Sequence, residues 1–361
     1  VPTVTDAASD EETTATGSVP VPGPRGIDAA NVTEWFAAHA ADVVPPLTFQ
    51  LIAGGRSNLT YRVDDAAAHA WVLRRPPLGH VLPTAHDMGR EHRIISALAP
   101  TDVPVPGVVG LCEDDAVNGA PFYVMEFVEG AILRDRTAAE PLGHDARVHA
   151  GEQIADVLAR IHAVDVDAVG LGDLGRKEAY IERQLRRWHR QWEGSKTREL
   201  PVVDEVHAAL SENIPEQGPA AIVHGDYRLD NCLVAPDGTI AAVLDWELCT
   251  LGDPLADMGL LLVYWSEPAD GYAALGDSAT LLDGFPTRAA LSARYAERSG
   301  RDLSDVDYYV AFGYWKLACI LEGVHARYRA GVMGESSGFD GFGQQVELLA
   351  QAAHRTLARG A

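Results

Sequence analysis

The chain has 361 residues and sets 29 Lys and Arg against 52 Asp and Glu, a formal net charge of −23, with 47% apolar residues. That length supports one large or two ordinary folded units with a real core, and the apolar share excludes a generally disordered chain. The negative charge argues against an extended nucleic-acid or anionic-membrane surface, because both partners need positive potential.

In chain order, residues 1–26 combine Thr, Ser, Pro, Gly and acidic side chains and read as a flexible leader without a secretion signal. A helix is expected through 31–40. Strands follow at 47–55, 58–65 and 69–77, the second alternating Leu59, Tyr61 and Val63. A helix over 89–100 carries Ile94, Ile95 and Leu98 at helical spacing, and strands at 103–114 and 121–130 come next. The glycines between the first two strands precede a strand, not a helix, so an antiparallel sheet with one packed helix fits better than a Rossmann unit. Beyond Gly130 helices dominate: 146–165, 179–194, 202–214, 256–265, 287–300, 306–331 and 343–360. The expected class is α+β, a small sheet-rich lobe followed by a larger helical one. Cys112, Cys232, Cys249 and Cys319 are too scattered for a disulfide scaffold, and the apolar run 258–265 is too short to span a bilayer. A soluble, cytoplasmic protein with no membrane partner is the expectation.

The informative segment is 224–246, which reads HGDYRLDN, then CLVAPDGTIAAVL, then DW. Asn231 follows Asp226 by five residues, and Asp245 lies fourteen further on. Residues 232–234 and 239–244 form two short strands around a PDG turn, which returns Asp245 toward Asn231. A carboxylate and an amide oxygen converging there suit Mg²⁺, a hard cation that keeps waters and phosphates in its shell. Asp226, in the preceding loop, is free to orient or deprotonate a hydroxyl.

This pattern resembles the aminoglycoside phosphotransferase and choline kinase-like family, and more distantly the protein kinases, whose catalytic loop has the same spacing. The resemblance implies a two-lobed protein-kinase-like fold, with a nucleotide-binding lobe over 27–128 and a helical lobe over 129–361 holding the catalytic loop and acceptor pocket. It implies ATP and Mg²⁺, with Asp226 as the catalytic Asp and Asn231 and Asp245 on the metal. Asp257 matches a family Asp that braces the catalytic loop. In LIAGGRSNLTYRV (51–63), Gly54, Gly55 and Ser57 stand where a turn covers nucleotide phosphates. Arg74 replaces the phosphate-pairing Lys of kinases, with Glu91 as its ion-pair partner. Arg at this place is similar to the branch resembling the kinase-like domain of acyl-CoA dehydrogenase-linked proteins. Glu126, Phe127 and Val128 correspond to the hinge that meets adenine.

The acceptor is less legible. Eight basic residues fall between Arg176 and Arg198, and Trp188 and Trp192 lie four apart on one helix. Arg187, Trp188 and Trp192 are expected to form part of the acceptor pocket, suited to an anionic acceptor bearing a ring, and the resemblance implies that Trp315, Glu322 and Arg327 on the late helix lie near it as well. The preferred reading is a small-molecule kinase acting on a hydroxyl, a hydroxyacyl-CoA by resemblance. The alternatives are an aminoglycoside, amino-alcohol or sugar kinase, and a nucleotide-binding pseudokinase scaffold.

Overall fold

The computed structural model describes residues 24–53, 58–78, 87–270, 276–331 and 341–360. Helix α1 (Ala29–His39) starts at Asp28, whose carboxylate accepts the Asn31 N–H at 3.1 Å, and buries Val32, Trp35 and Phe36. Strands β1 (Thr48–Ala53), β2 (Leu59–Asp64) and β3 (Ala70–Arg75) follow, then α2 (Met88–Leu98), β4 (Val108–Cys112), the short α3 (Asp115–Asn118) and β5 (Phe122–Glu126). The strands form one antiparallel sheet in the order β1-β2-β3-β5-β4.

The period-two alternation gives this sheet two working faces. Tyr61, Val63, Trp71, Leu73, Phe122 and Val124 pack against α1. Val72, Tyr123 and Met125 point the other way, toward α2 and the helical lobe. Asp87 caps α2 by accepting the Arg90 N–H at 2.9 Å, and the helix turns Ile94, Ile95, Leu98 and the charged Glu91 inward.

After β5 the chain crosses to the helical lobe through the short α4 (Arg136–Ala139) and the long α5 (His144–Ala163). Helices α6 (Tyr180–Ser195) and α7 (Pro201–Glu212) come next, followed by four short strands: β6 (Ala221–Val223), β7 (Cys232–Val234), β8 (Ile240–Val243) and β9 (Thr250–Gly252). β6 pairs with β9, and β7 with β8. Helices α8 (Leu255–Tyr264), α9 (Arg288–Ser299), α10 (Val306–Arg329) and α11 (Phe342–Gly360) complete the described chain. On α10, Tyr309, Phe312, Trp315, Ala318 and Cys319 are all buried. All four cysteines are free and buried. No helix of the described residues is long and apolar enough to cross a membrane.

Candidate active site

The segment after β6 is held from beneath. Gly225 has φ +87°, where a side chain is strained, and a Cβ there would come within 3.1 Å of Leu248. Asp257, in the first turn of α8 and 1% exposed, accepts the His224 N–H at 2.6 Å and the Gly225 N–H at 2.8 Å. His162 Nε2 stands 3.4 Å from the same carboxylate, while its Nδ1 lies 2.7 Å from the Tyr295 hydroxyl. Burial pushes the Asp257 carboxyl up, but His162, His224 and the Gly225 amide outweigh it and hold the group below the usual range. His224 Nε2 lies 3.0 Å from the Leu244 carbonyl, and its Nδ1 accepts the Asp226 N–H at 3.3 Å. Those partners assign the Nε2–H tautomer. The expected brace is present.

Asp226, Asn231 and Asp245 converge above that support. The Asn231 amide nitrogen donates to the Asp226 carbonyl at 2.7 Å and to Asp226 Oδ2 at 3.0 Å, so its Oδ1 is the atom left for a ligand. The Leu244 N–H donates to the Asn231 carbonyl at 2.8 Å, which closes the β7–β8 hairpin and sets Asp245 beside Asn231. Asp245 adopts φ +64°, a conformation uncommon outside glycine, two residues past β8. Asp226 keeps about a quarter of its side chain exposed at 26%, enough to meet an incoming group. Arg228 Nε stands 3.6 Å from Asp226 Oδ2, with its guanidinium 4.6 Å above the Tyr264 ring.

Arg74, on β3, joins the lobes. Its Nε lies 3.1 Å from Glu91 Oε2, without the alignment of a hydrogen bond. Its Nη2 donates to Asp245 Oδ1 at 2.6 Å and stands 3.8 Å from Glu247 Oε2. Three carboxylates thus share one guanidinium. Burial pushes the Glu91 carboxyl up more than Arg74 pulls it down. Glu247 is pushed up to about 7 by burial and by Asp245, against Arg74. Excess negative charge with oxygen donors from Asp245 and Asn231 suits a hard divalent cation. Glu247 was not singled out in the sequence; the only signal was its place two residues past Asp245.

A cleft of about 540 Å³ opens beside these groups. Val72, Tyr123, Met125, Leu233 and Val243 give it apolar walls, and Arg74, Glu91, Asn231 and Asp245 line its polar end. Glu126, Phe127 and Val128 border it, but the Glu126 N–H already donates to the Gly107 carbonyl at 2.7 Å and the Phe127 N–H to the Ala70 carbonyl at 3.3 Å. Among the described residues the Val128 N–H has no backbone partner, so it is the open donor at this hinge. Gly54, Gly55 and Ser57 lie outside the described residues. A larger cavity, about 640 Å³ beside Arg288, Tyr314 and Arg355, touches none of the motif residues.

The expected acceptor pocket is largely corrected. Trp192 and Trp315 are fully buried, the latter donating its indole N–H to the Val203 carbonyl at 3.0 Å, so both are core between α6, α7 and α10. Glu322 is fully buried and accepts from the Thr197 N–H at 2.6 Å, the Thr197 hydroxyl at 2.7 Å and Arg198 at 3.1 Å. It anchors the chain after α6 and has no face toward a ligand. Arg327 is exposed and roughly 16 Å along α10 from Lys316, at 1.5 Å per residue. Ion pairs engage part of the basic run, Lys177 with Asp167, Arg186 with Glu182 and Lys196 with Glu193. Trp188, half-buried, and Arg187, stacked 4.9 Å over its ring, remain available. Lys316, beside Trp315 on α10, has its Nζ 3.1 Å from the Gly225 carbonyl and 5.8 Å from the Trp188 ring.

A five-stranded antiparallel lobe, a helical lobe and a cleft ending in Asn231 and Asp245, with Asp226 beside Asn231, define a kinase-like phosphotransferase class. The model of the phosphotransferase enzyme family matches residues 48–301, and the chain belongs to that family. It is 37% identical over 305 residues to acyl-CoA dehydrogenase family member 10 of Mus musculus, covering 83% of this chain and 28% of that protein. The chain therefore spans well under half of that curated relative. A crystal structure from Ralstonia eutropha, named as an aminoglycoside phosphotransferase, superimposes with a TM-score of 0.79 at 33% identity, covering 92% of this chain and 98% of the other. The choline kinase of Cryptosporidium parvum shares the fold alone, with a TM-score of 0.63 at 12% identity over 92% and 96% of the two chains.

Proposed function

We propose that the protein transfers the γ-phosphoryl group of Mg²⁺-bound ATP to a hydroxyl of a small molecule, with a hydroxyacyl-CoA as the preferred acceptor. The observation that carries this reading is that Asn231 and Asp245 line the polar end of an apolar cleft, with Asp226 hydrogen-bonded to Asn231 beside it. In this reading adenine occupies the apolar cleft and meets the Val128 N–H. Asp245 and the Asn231 Oδ1 hold Mg²⁺, which when bound neutralises phosphate charge. Arg74, tethered by Glu91, supplies a fixed positive charge at the same end of the cleft. Asp226 orients the acceptor hydroxyl and takes its proton as the bond to phosphorus forms. Positioning and charge neutralisation carry most of the rate, because the transferring group needs little covalent help from the protein. Asp226 is held by Asn231 and keeps about a quarter of its side chain exposed, which fits a base that must reach an external hydroxyl.

The lobe boundary near 128 belongs to the same reading, as does a cytoplasmic small-molecule enzyme without nucleic-acid or membrane partners. Hydroxyacyl-CoA is preferred because the relative of Mus musculus is an acyl-CoA dehydrogenase family member and because Arg187 and Trp188 remain available beside the loop. The experiment is mass-spectrometric detection of phosphate transfer from Mg·ATP to a panel of hydroxyacyl-CoAs, aminoglycosides and amino alcohols. A thioester one phosphoryl group heavier is the expected product. Transfer only to an amino alcohol or aminoglycoside overturns the acceptor assignment and leaves the kinase reading standing.

A further inference from the structure

Lys316 is the one lysine on the buried helix α10, and it is 8% exposed. Its Nζ donates to the Gly225 carbonyl, one residue before Asp226, at 3.1 Å. Among the described residues that carbonyl is the only hydrogen-bond acceptor it meets, yet an ammonium carries three N–H donors. A buried cation with two unmatched donors is costly unless something else accepts them. Burial pushes the Lys316 amine down, while the Asp257 and Asp226 carboxylates oppose that and Arg187 adds to it.

Its position says which ligand could complete it. Lys316 does not line the cleft with Val72 and Met125, so it meets the catalytic loop from another side than the nucleotide. On that side the half-buried Trp188 ring stands 5.8 Å away, and Arg187 lies over the same ring at 4.9 Å. Two open N–H donors, an indole face and a second cation match a carbonyl or carboxylate oxygen. They repel an ammonium.

We propose that Lys316 is a specificity residue of the acceptor side, holding a carbonyl or carboxylate oxygen of the molecule whose hydroxyl faces Asp226 and excluding cationic amino alcohols. The inference rests on the phosphotransferase reading. The Gly225 carbonyl fixes the ammonium relative to Asp226, so an acceptor held by Lys316 is held in register with the base. Charge repulsion then does the excluding, since an ammonium placed there meets Lys316 and Arg187 together.

The test is calorimetric titration of 3-hydroxybutyryl-coenzyme A, and separately kanamycin, into protein saturated with Mg·ADP, using wild type, Lys316→Met and Lys316→Arg. The thioester should bind wild type, bind K316M about tenfold to a hundredfold more weakly, as expected for losing a hydrogen bond from a charged donor, and recover most of its affinity in K316R. Affinity for Mg·ADP should stay within about twofold in all three, which a general collapse of the loop would not allow. Kanamycin should bind K316M no worse than wild type. Equal thioester affinity in wild type and K316M overturns the proposal, as does a parallel loss of Mg·ADP affinity in both variants. If wild type binds Mg·ADP but not the thioester, the acceptor class falls and the kinase reading survives. If wild type fails to bind Mg·ADP, the kinase reading falls and takes this inference with it.

Discussion

Replacing Asp257 by Asn tests the support under the catalytic loop. The carboxylate accepts two backbone N–H groups, from His224 at 2.6 Å and Gly225 at 2.8 Å, and is 1% exposed. An amide of the same shape offers one oxygen and one NH₂, so one backbone donor would face another donor. Losing a charge-assisted bond and stranding a buried N–H together cost about 3–5 kcal/mol. For a chain of this length that lowers the melting temperature by roughly 5 °C. The loop should also loosen at Gly225, so the transfer rate should fall even where the protein remains folded. Differential scanning calorimetry with and without Mg·ADP measures the first effect, and acceptor turnover below the melting range measures the second. A shift under about 1 °C, corresponding to less than 1 kcal/mol, would refute the claim that Asp257 carries the loop.

Arg74→Met should cost about 3–5 kcal/mol in urea unfolding, because Glu91 and Asp245 lose the cation they share. Adding Glu91→Leu should recover much of that loss, and a double variant no better than the single would show that the pair is not coupled. Asp65 supplies a pH-dependent prediction. Burial pushes its carboxyl up, but the Val44, His69 and Ala67 amides and the His69 ring outweigh it and bring it to about 2 from 3.8. A folded-state value below the unfolded one gives stability that is complete above 3.8 and lost as pH falls through about 2. The gap in urea midpoint between wild type and Asp65→Asn should therefore be open at pH 5 and shrink toward pH 2; a gap that is constant across that range contradicts the assignment.

What the sequence disclosed divides by the range of the interactions involved. Asp226, Asn231 and Asp245 were legible because a local hairpin with a PDG turn fixes their separation, and the Leu244–Asn231 bond sits where that hairpin requires. The sheet strands were legible because Tyr61, Val63, Trp71 and Leu73 alternate toward α1. Their spatial order, with β5 between β3 and β4, depends on long-range pairing that no local pattern encodes. The acceptor side failed for a related reason. Trp188 and Trp192 share a helical face, yet one is half-buried and the other fully enclosed, and a period of 3.6 cannot tell a wall from a core. The resemblance places the helix of Glu322 near the acceptor pocket, but Glu322 binds Thr197 and Arg198. Lys316 and Glu247 matter through partners 91 and 189 residues away, Gly225 and Asn58, which sequence spacing does not reveal.

The most direct measurement of the central claim is turnover by Asp226→Asn set against its affinity for Mg·ATP. Asparagine preserves the shape of Asp226 but cannot take a proton; Asn231 keeps its bond to the backbone carbonyl of residue 226 and can still donate to the Asn oxygen, and Asp245 and the cleft are untouched. The account predicts transfer reduced to a trace with nucleotide affinity close to that of wild type. Wild-type turnover in the variant would contradict the assignment of Asp226 as the residue that receives the acceptor's proton.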